Sequence, residues 1–115
     1  MIEIGTDLEN IERFKLDKNS SFVKNNFTPN EIVHAFSKDS PHITLCGLFC
    51  AKEAIIKTLS KQDILLNEIE INREDSGKPI VKIIKKDFSQ KSNFSVSISH
   101  SGEYAFAVAL RTKND

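Results

Sequence analysis

The chain has 115 residues, enough for one hydrophobic core but not for two, so we expect a single domain over residues 1–115. Lys plus Arg and Asp plus Glu both number 16, which argues against non-specific binding to nucleic acid or to an anionic membrane surface. No stretch reaches the roughly 20 apolar residues of a membrane span, and the N-terminal MIEIGTDLEN has acidic residues where a secretion signal has basic ones. We therefore expect a cytoplasmic protein with neither a nucleic-acid partner nor a membrane partner.

The first half of the chain is predicted to form one strand followed by helices. IEIGTDL, residues 2–8, alternates in the manner of a strand, and a helix from Glu12 to Leu16 is expected after it. FTPNEIVHAF begins a second helix, with Thr28 as the N-cap, a proline at the first helical position and Glu31 completing a capping box. KDSPH breaks that helix, and a long helix is predicted from about Ile43 to about Lys61.

The second half is predicted to form two hairpins. IEINR and PIVKII flank a turn at Ser76-Gly77, and FSVSISH and EYAFAVAL flank a turn at Ser101-Gly102. In the last strand Ala105, Ala107 and Ala109 share one face, which a packed helix or a neighbouring subunit must approach closely. The order of elements predicts an α+β fold with an antiparallel sheet packed on the long helix.

The long helix contains polar residues among apolar ones in FCAKEAIIKTL. Lys52 lies within the apolar stripe, so its stem either snorkels over apolar surface or carries the ammonium to a ligand. Glu53 lies at the edge of the stripe, and Lys57 follows it with the i, i+4 spacing of a common, weak surface ion pair. Cys46 and Cys50 are interpreted as reduced thiols, because no CxxC pair or histidine cluster completes a zinc site.

Polar residues near the strand ends also have alternative interpretations. Asp7 either caps the next helix, with Thr6 and Glu9 as an alternative capping box, or serves as a ligand. His100 is expected on an inward face at a strand end, as a hydrogen-bonded rim residue or as a ligand. Ser99 belongs to a solvated face of alternating serines, and no nearby aspartate completes a catalytic triad, so a hydrolase is not expected.

Together these residues favour one class of chemistry. Asp7 and Glu53 are hard oxygen ligands of the kind that Mg²⁺ uses alongside water and phosphate, and lysines suit phosphate as point charges. Two acids, two lysines and a histidine thus indicate metal-assisted phosphoryl or pyrophosphate chemistry. No glycine-rich P-loop is present in the sequence, so a Walker-type enzyme is not expected.

Two short motifs match a known family. They are G-x-D, present as Gly5-Thr6-Asp7, and aromatic-x-x-K-E-A-x-x-K, present from Phe49 to Lys57. The match extends to IGTDLENIERF, FTPNEI, DSGKPIV and SVSISHSGEYAFAVAL, in order along nearly the whole chain. The sequence resembles the holo-acyl-carrier-protein synthases, the small bacterial branch of the 4′-phosphopantetheinyl transferase superfamily.

The resemblance implies the phosphopantetheinyl transferase fold and an Mg²⁺-dependent transfer of 4′-phosphopantetheine from coenzyme A to a serine of apo acyl carrier protein. The product released would be adenosine 3′,5′-bisphosphate, and the setting would be fatty-acid biosynthesis. By the same resemblance Asp7 and Glu53 are the metal ligands, and both act with Lys57 in catalysis. The proton of the carrier serine would go to Glu53 or to a metal-bound water polarised by Asp7. The resemblance further implies contacts to the coenzyme A phosphates or nucleotide from Lys52, Lys57, Ser99 and His100, and a carrier-protein contact from Arg13.

Family members of this size form homotrimers with active sites between subunits, so Asp7 and Glu53 are expected to face His100 of a neighbour. The chain also departs from the family pattern. Leu48 replaces an arginine, and the short LSKQDI replaces a glycine-containing loop after the signature helix. Both positions are expected near the coenzyme A phosphates, where Lys38 and Lys61 could compensate.

Three alternatives follow from these departures and from the residues themselves. One is a transferase specialised for a carrier protein of secondary metabolism. Another is a non-catalytic module that binds a carrier protein or coenzyme A. The last is a plain α+β interaction domain in which Lys52 only snorkels and no nucleotide is bound.

Overall fold

The computed structural model describes residues 1–59, 64–86, 88 and 92–113. Single-turn 3-10 segments at Ile11–Phe14 and Leu66–Glu68 connect the larger elements. The helices and strands, in chain order, are β1 (Ile2–Asn10), α1 (Ser21–Asn26), α2 (Pro29–Phe36), α3 (Pro41–Lys57), β2 (Ile69–Arg73), β3 (Pro79–Ile83), β4 (Ser92–Ser101) and β5 (Tyr104–Lys113).

The strands form two antiparallel sheets. One has the order β1-β5-β4, and the other is the β2-β3 hairpin. The long helix α3 packs against all three strands of the larger sheet. The α+β fold with a long helix on an antiparallel sheet is therefore confirmed, with the strands divided between two sheets.

The alanine face of β5 is covered by α3 within the chain. Ala105, Ala107 and Ala109 are fully buried, and Cys50 Sγ donates a weak hydrogen bond to the Ala105 carbonyl oxygen at 3.5 Å. The alanine face was expected to pack against either a helix or a neighbouring subunit, and it packs against helix α3 of the same chain. Cys46 and Cys50 are buried free thiols, as expected.

The opposite face of the larger sheet is apolar and exposed along β1 and β5. In the register Ile4 faces Leu110 and Leu8 faces Phe106, so these side chains form one continuous surface. On β4 the same face carries the alternating serines, which are exposed as predicted. The large exposed side chains of the surface are Ile2, Ile4, Leu8, Tyr104, Phe106 and Leu110.

The segment after β1 differs from its prediction. Pairing with β5 continues to Asn10, so Asp7 lies inside the strand and caps no helix, and the Thr6–Glu9 capping box is wrong as well. The expected Glu12–Leu16 helix is a single 3-10 turn, in which the Glu12 amide donates to Asn10 Oδ1 at 2.9 Å. Helix α1, which is six residues long, had no prediction because it is too short to show a helical period.

The capping box at the start of α2 is confirmed. The Glu31 amide donates to Thr28 Oγ1 at 3.3 Å, and the Thr28 amide donates to Glu31 Oε1 at 2.9 Å. Both hairpins are confirmed, with left-handed φ angles of 91° at Gly77 and 58° at Gly102, which glycine adopts without steric cost.

Helix α3 spans Pro41–Lys57 rather than residues 43–61. It ends early because Thr58 closes its last turn, and the Thr58 carbonyl then accepts a hydrogen bond from Arg111 Nε at 2.9 Å. Residues 60–63, which include Lys61 and most of the shortened loop, lie outside the described residues.

Candidate active site

Strand β1 and helix α3 meet at Gly5. A Cβ atom at this position would lie 2.1 Å from the Ala54 carbonyl oxygen and 3.0 Å from Lys57 Cβ. Only glycine allows so close an approach of the two backbones. Asp7 follows on the same face of β1 and is thereby held beside the last two turns of α3.

The structure brings together Asp7, Glu53 and Lys57, as predicted. Lys57 Nζ donates hydrogen bonds to Asp7 Oδ1 at 3.2 Å and to the Thr6 carbonyl oxygen at 2.8 Å. The Asp7 side chain is only 11% exposed, whereas that of Lys57 is 53% exposed. The lysine thus spans from solvent to a largely buried carboxylate.

Glu53 lies close enough to Asp7 for the two charges to interact. Burial raises the pKa of Glu53, and the nearby negative charges of Asp7 and Glu9 raise it further, while Lys57 opposes the shift. Two carboxylates in this arrangement resist being ionised together unless a cation lies between them.

The same residues fit a divalent cation. Asp7 Oδ2 is buried and, within the part of the chain that the structure describes, has no hydrogen-bond partner. A buried carboxylate oxygen without a partner requires an explanation, and a bound hard cation such as Mg²⁺ provides one. Among the described residues no group of three or more His, Cys, Asp or Glu side chains could hold a metal, so water or phosphate would have to supply the remaining ligands of an ion at this cluster.

Lys52 is not at this site. Its side chain is fully buried and forms an ion pair with Glu31 of α2, whose side chain is also fully buried. Its ammonium also donates to the Asn26 carbonyl oxygen at 2.9 Å and lies 5.1 Å from the centre of the Phe27 ring. Snorkelling is therefore wrong, and the expected contact between Lys52 and a phosphate is corrected because the ammonium faces the core.

A second group of polar residues surrounds a cavity of about 370 Å³ between α2, α3, β4 and the β2–β3 hairpin. Four of its lining residues are basic: His34, Lys38, Arg73 and His100. Burial lowers the pKa of His34, and the positive charges of Lys38 and Arg73 lower it further. The cavity is thus suited to phosphate oxygens. His34 and Arg73 are not among the site residues predicted from the sequence, since nothing local links them to His100.

Ser99 and His100 point to opposite faces of β4, because side chains alternate along a strand. His100 borders the cavity, whereas Ser99 lies on the exposed serine face and is absent from the described lining. Asp7 and Glu53 are also absent from that lining. One chain therefore presents two separate groups, the Asp7–Glu53–Lys57 cluster and the basic cavity.

Arg13 and Leu48 lie in contrasting environments. The Arg13 side chain is 72% exposed, and its Nη1 donates to Glu9 Oε1 at 2.7 Å. The guanidinium is therefore on the surface, as a docking contact requires. Leu48 is 1% exposed and belongs to the core, so this position presents no side chain to a ligand.

No helix among the described residues has the length and apolar character needed to cross a membrane.

Comparisons with known proteins identify the family. The model of the 4′-phosphopantetheinyl transferase superfamily matches residues 3–109. The chain is similar to a holo-[acyl-carrier-protein] synthase of Clostridium beijerinckii, at 37% identity over 96% of each chain. It is also similar to the synthase of Caldicellulosiruptor saccharolyticus, at 34% identity over 100% of this chain and 99% of that protein.

Among solved structures, the fold is similar to a holo-(acyl-carrier-protein) synthase from Bacillus anthracis in complex with CoA (3′,5′-ADP). The TM-score is 0.82 and the identity 29%, over 98% of this chain and 96% of that one. The matched segment includes Asp7, Glu53 and Lys57, and it covers well over half of the chain. The chain belongs to the 4′-phosphopantetheinyl transferase superfamily.

Proposed function

We propose that this protein transfers 4′-phosphopantetheine from coenzyme A to a serine hydroxyl of apo acyl carrier protein in an Mg²⁺-dependent reaction. It would act as one domain over residues 1–115, in the cytoplasm, in fatty-acid biosynthesis. The observation that carries the proposal is the Asp7–Glu53–Lys57 cluster, in which one buried carboxylate oxygen lacks a described partner. Relatives of similar length over the whole chain are holo-[acyl-carrier-protein] synthases.

Asp7 and Glu53 are the residues that would hold Mg²⁺. Their carboxylates are close enough for Asp7 to raise the pKa of Glu53, and a bound cation would remove that repulsion. The ion would supply neutralisation of charge on the pyrophosphate during transfer.

Lys57 is the catalytic residue of this chain that would stabilise the negative charge developing on the leaving phosphate. In the transfer, the carrier serine oxygen bonds to the β-phosphorus of coenzyme A as the bond to the bridging oxygen breaks and adenosine 3′,5′-bisphosphate leaves. The proton of the serine hydroxyl would go to Glu53 or to a water beside Asp7. Negative charge grows on the leaving phosphate, and an ammonium beside it lowers the barrier. The Lys57 ammonium donates to Thr6 and Asp7 while the side chain as a whole remains half exposed, so a phosphate can approach it.

The basic cavity would receive the phosphates of the nucleotide half of coenzyme A. His100 borders this cavity, which supports the expectation that it contacts the phosphates or the nucleotide. Lys38, Arg73 and His34 add cationic or hydrogen-bonding groups around the same space. Ser99 would contribute only if a second subunit brings its strand face to the ligand, because it lies on the other side of β4.

A homotrimer would unite the two groups. Within one chain the Asp7–Glu53 pair does not line the described cavity, so a complete site would need the cluster of one subunit beside the cavity of another. The exposed apolar surface of β1 and β5 supports such an assembly, because contiguous apolar patches of this kind are rare on monomers.

Arg13 would contact the carrier protein. Its guanidinium is exposed and lies one turn beyond the end of β1, the strand that carries Asp7. An acidic carrier surface would be steered there by charge although the net charge of the chain is zero.

The test is mass spectrometry of apo acyl carrier protein incubated with this protein and coenzyme A, with Mg²⁺ or with EDTA. A mass gain of about 340 Da, the size of the transferred group, is expected only with metal. If the protein binds nucleotide yet transfers nothing to this carrier or to any carrier in a panel from secondary metabolism, that outcome would favour the non-catalytic alternative. Transfer only to a member of the panel would favour the specialised one.

A further inference from the structure

The ion pair between Glu31 and Lys52 is the most deeply buried charged contact described, and the proposed transfer reaction does not use it. Both side chains are 0% exposed. Burial raises the pKa of Glu31 and lowers that of Lys52, so each charge is held against its preference for water. An apolar pair of similar volume is often as stable as a buried ion pair, so stability alone does not account for it.

Glu31 joins three separate parts of the fold. Its Oε1 accepts from the Thr28 amide at the start of α2 at 2.9 Å, and its carboxylate pairs with Lys52 on α3. Its Oε2 accepts from the Ile71 amide in the middle of β2 at 2.8 Å. Lys52 adds the end of α1 by donating to the Asn26 carbonyl oxygen. A neutral side chain with one acceptor could not make all of these bonds.

The bond to Ile71 matters because the β2–β3 hairpin is a sheet of its own. Its strands are not hydrogen-bonded to β1, β5 or β4 in the described sheets, so its position depends on the packing of β3 beside β4 and on the contacts of β2 with α2 and α3. The hairpin supplies Arg73 and Gly77 to the basic cavity, and Arg73 follows Ile71 on the same side of β2. A displacement of β2 would therefore move a cationic group of the cavity.

We propose that Glu31 and Lys52 are positioning residues, whose buried ion pair anchors the β2–β3 hairpin to α3 and so sets the place of Arg73 in the nucleotide cavity. The inference rests on the proposed function for the identity of the ligand, and on the contacts of Glu31 for the anchoring. Lys52 would therefore act on the phosphates through the position of the hairpin and not by contact with them.

The test uses the double variant Glu31→Gln/Lys52→Met, which removes both charges together and leaves no unpaired one. Its affinity for adenosine 3′,5′-bisphosphate, measured by calorimetry, should fall about tenfold, which corresponds to loss of one well-placed charged contact. The matched control is Ile55→Val, a buried change on the same helix that lowers stability and leaves both charges of the pair in place. If the pair only stabilises the fold, the affinity for adenosine 3′,5′-bisphosphate should follow the melting temperature in both variants. An unchanged affinity in the double variant would overturn the proposal.

Hydrogen exchange of the Ile71 amide, which donates to Glu31 Oε2, and of the other amides of the β2–β3 hairpin provides a readout independent of the ligand. Faster exchange across the hairpin in the double variant, with unchanged exchange in β5, is expected. Exchange equal to that of the wild type would overturn the anchoring. If the wild-type protein binds no bisphosphate, the proposed function fails while the exchange data still decide the anchoring. Should the double variant not fold, Glu31→Gln alone retains an oxygen for Lys52, and the same two measurements apply to it with the same deciding outcomes.

Discussion

The backbone of Gly5 lies directly against the carbonyl oxygen of Ala54, so that a Cβ atom at position 5 would come within 2.1 Å of it. This contact sets the separation of β1 and α3, and therefore the distance between the carboxylates that each element carries. The glycine of the G-x-D motif is thus required by packing, while the aspartate is required by the proposed chemistry.

Gly5→Ala is expected to lower the free energy of unfolding by about 2–3 kcal/mol, because the added methyl group forces two backbones apart. Gly102→Ala is the control, since no atom lies within 4 Å of its Cβ position and the cost is limited to about 1–2 kcal/mol of left-handed backbone strain. Urea unfolding measures both. Metal-dependent transfer should also fall in Gly5→Ala at temperatures where it is folded, and full transfer in a folded variant would contradict the packing argument.

Glu53→Gln is expected to reduce transfer at least about 100-fold, since even outer contacts of a metal ligand are worth about 10–100-fold in metal affinity. Without metal the same variant should be slightly more stable at neutral pH. The folded-state pKa of Glu53 is raised, so its carboxylate costs nothing below the unfolded pKa. The destabilisation grows as the pH rises above the unfolded pKa and is complete above the folded pKa. The gain should remain under about 1 kcal/mol because the group retains solvent contact.

The measurement is urea unfolding of both proteins in EDTA from pH 3 to pH 8, and again with Mg²⁺. The stability difference should vanish at the acidic end, and it should reverse with metal because only the wild type gains binding energy. A variant that responds to Mg²⁺ as the wild type does would remove Glu53 from the metal site.

Lys57→Met is expected to lower kcat by about 10²–10³-fold, the usual effect of removing one group that stabilises transition-state charge. Its effect on stability should be small, under about 1 kcal/mol, because the Lys57 side chain is itself half exposed. Lys113→Met, at the exposed last residue of β5, is the control. A loss confined to the KM for coenzyme A would instead indicate uniform substrate binding.

The parts of the fold that could be predicted from the sequence depend on local patterns. Thr28 and Glu31 are three residues apart, so their capping box is visible in the sequence, and both hairpins have a glycine at the turn. The extent of β1 was missed because pairing with β5, a partner about a hundred residues away, decides whether Asp7 lies in a strand or a cap.

The same distinction separates the site residues. Asp7, Glu53 and Lys57 belong to motifs with fixed spacing, and the structure brings them together. The family resemblance assigns Lys52 to phosphate, and the sequence offers no correction, because helical periodicity gives the direction of a side chain but not what lies opposite it. Its partner Glu31 had already been explained as a capping residue, and nothing local indicates that one carboxylate serves both purposes.

Arg73→Ala is expected to weaken binding of adenosine 3′,5′-bisphosphate about tenfold or more, because one charged hydrogen bond contributes about 1.5–3 kcal/mol. The affinity of the wild type should also fall with rising ionic strength, since the cavity binds through charge. Arg13→Ala is the matched control, as it removes an arginine far from the cavity lining and should raise only the KM for the carrier protein. Equal nucleotide affinity in Arg73→Ala and the wild type would exclude this cavity as the nucleotide site.

Phe106→Asp is expected to dissociate the proposed trimer, because it places a charge in the middle of the exposed apolar surface, opposite Leu8. Ser97→Asp adds the same charge to the solvated part of that sheet face and should be tolerated. Sedimentation velocity measures the assembly state, and mass spectrometry of the carrier protein measures transfer by the same samples. Because the cluster of one subunit would complete the cavity of another, dissociation and loss of transfer should occur together. A monomeric Phe106→Asp protein with full transfer would mean that one chain contains the whole site and that no neighbouring subunit is needed to complete it.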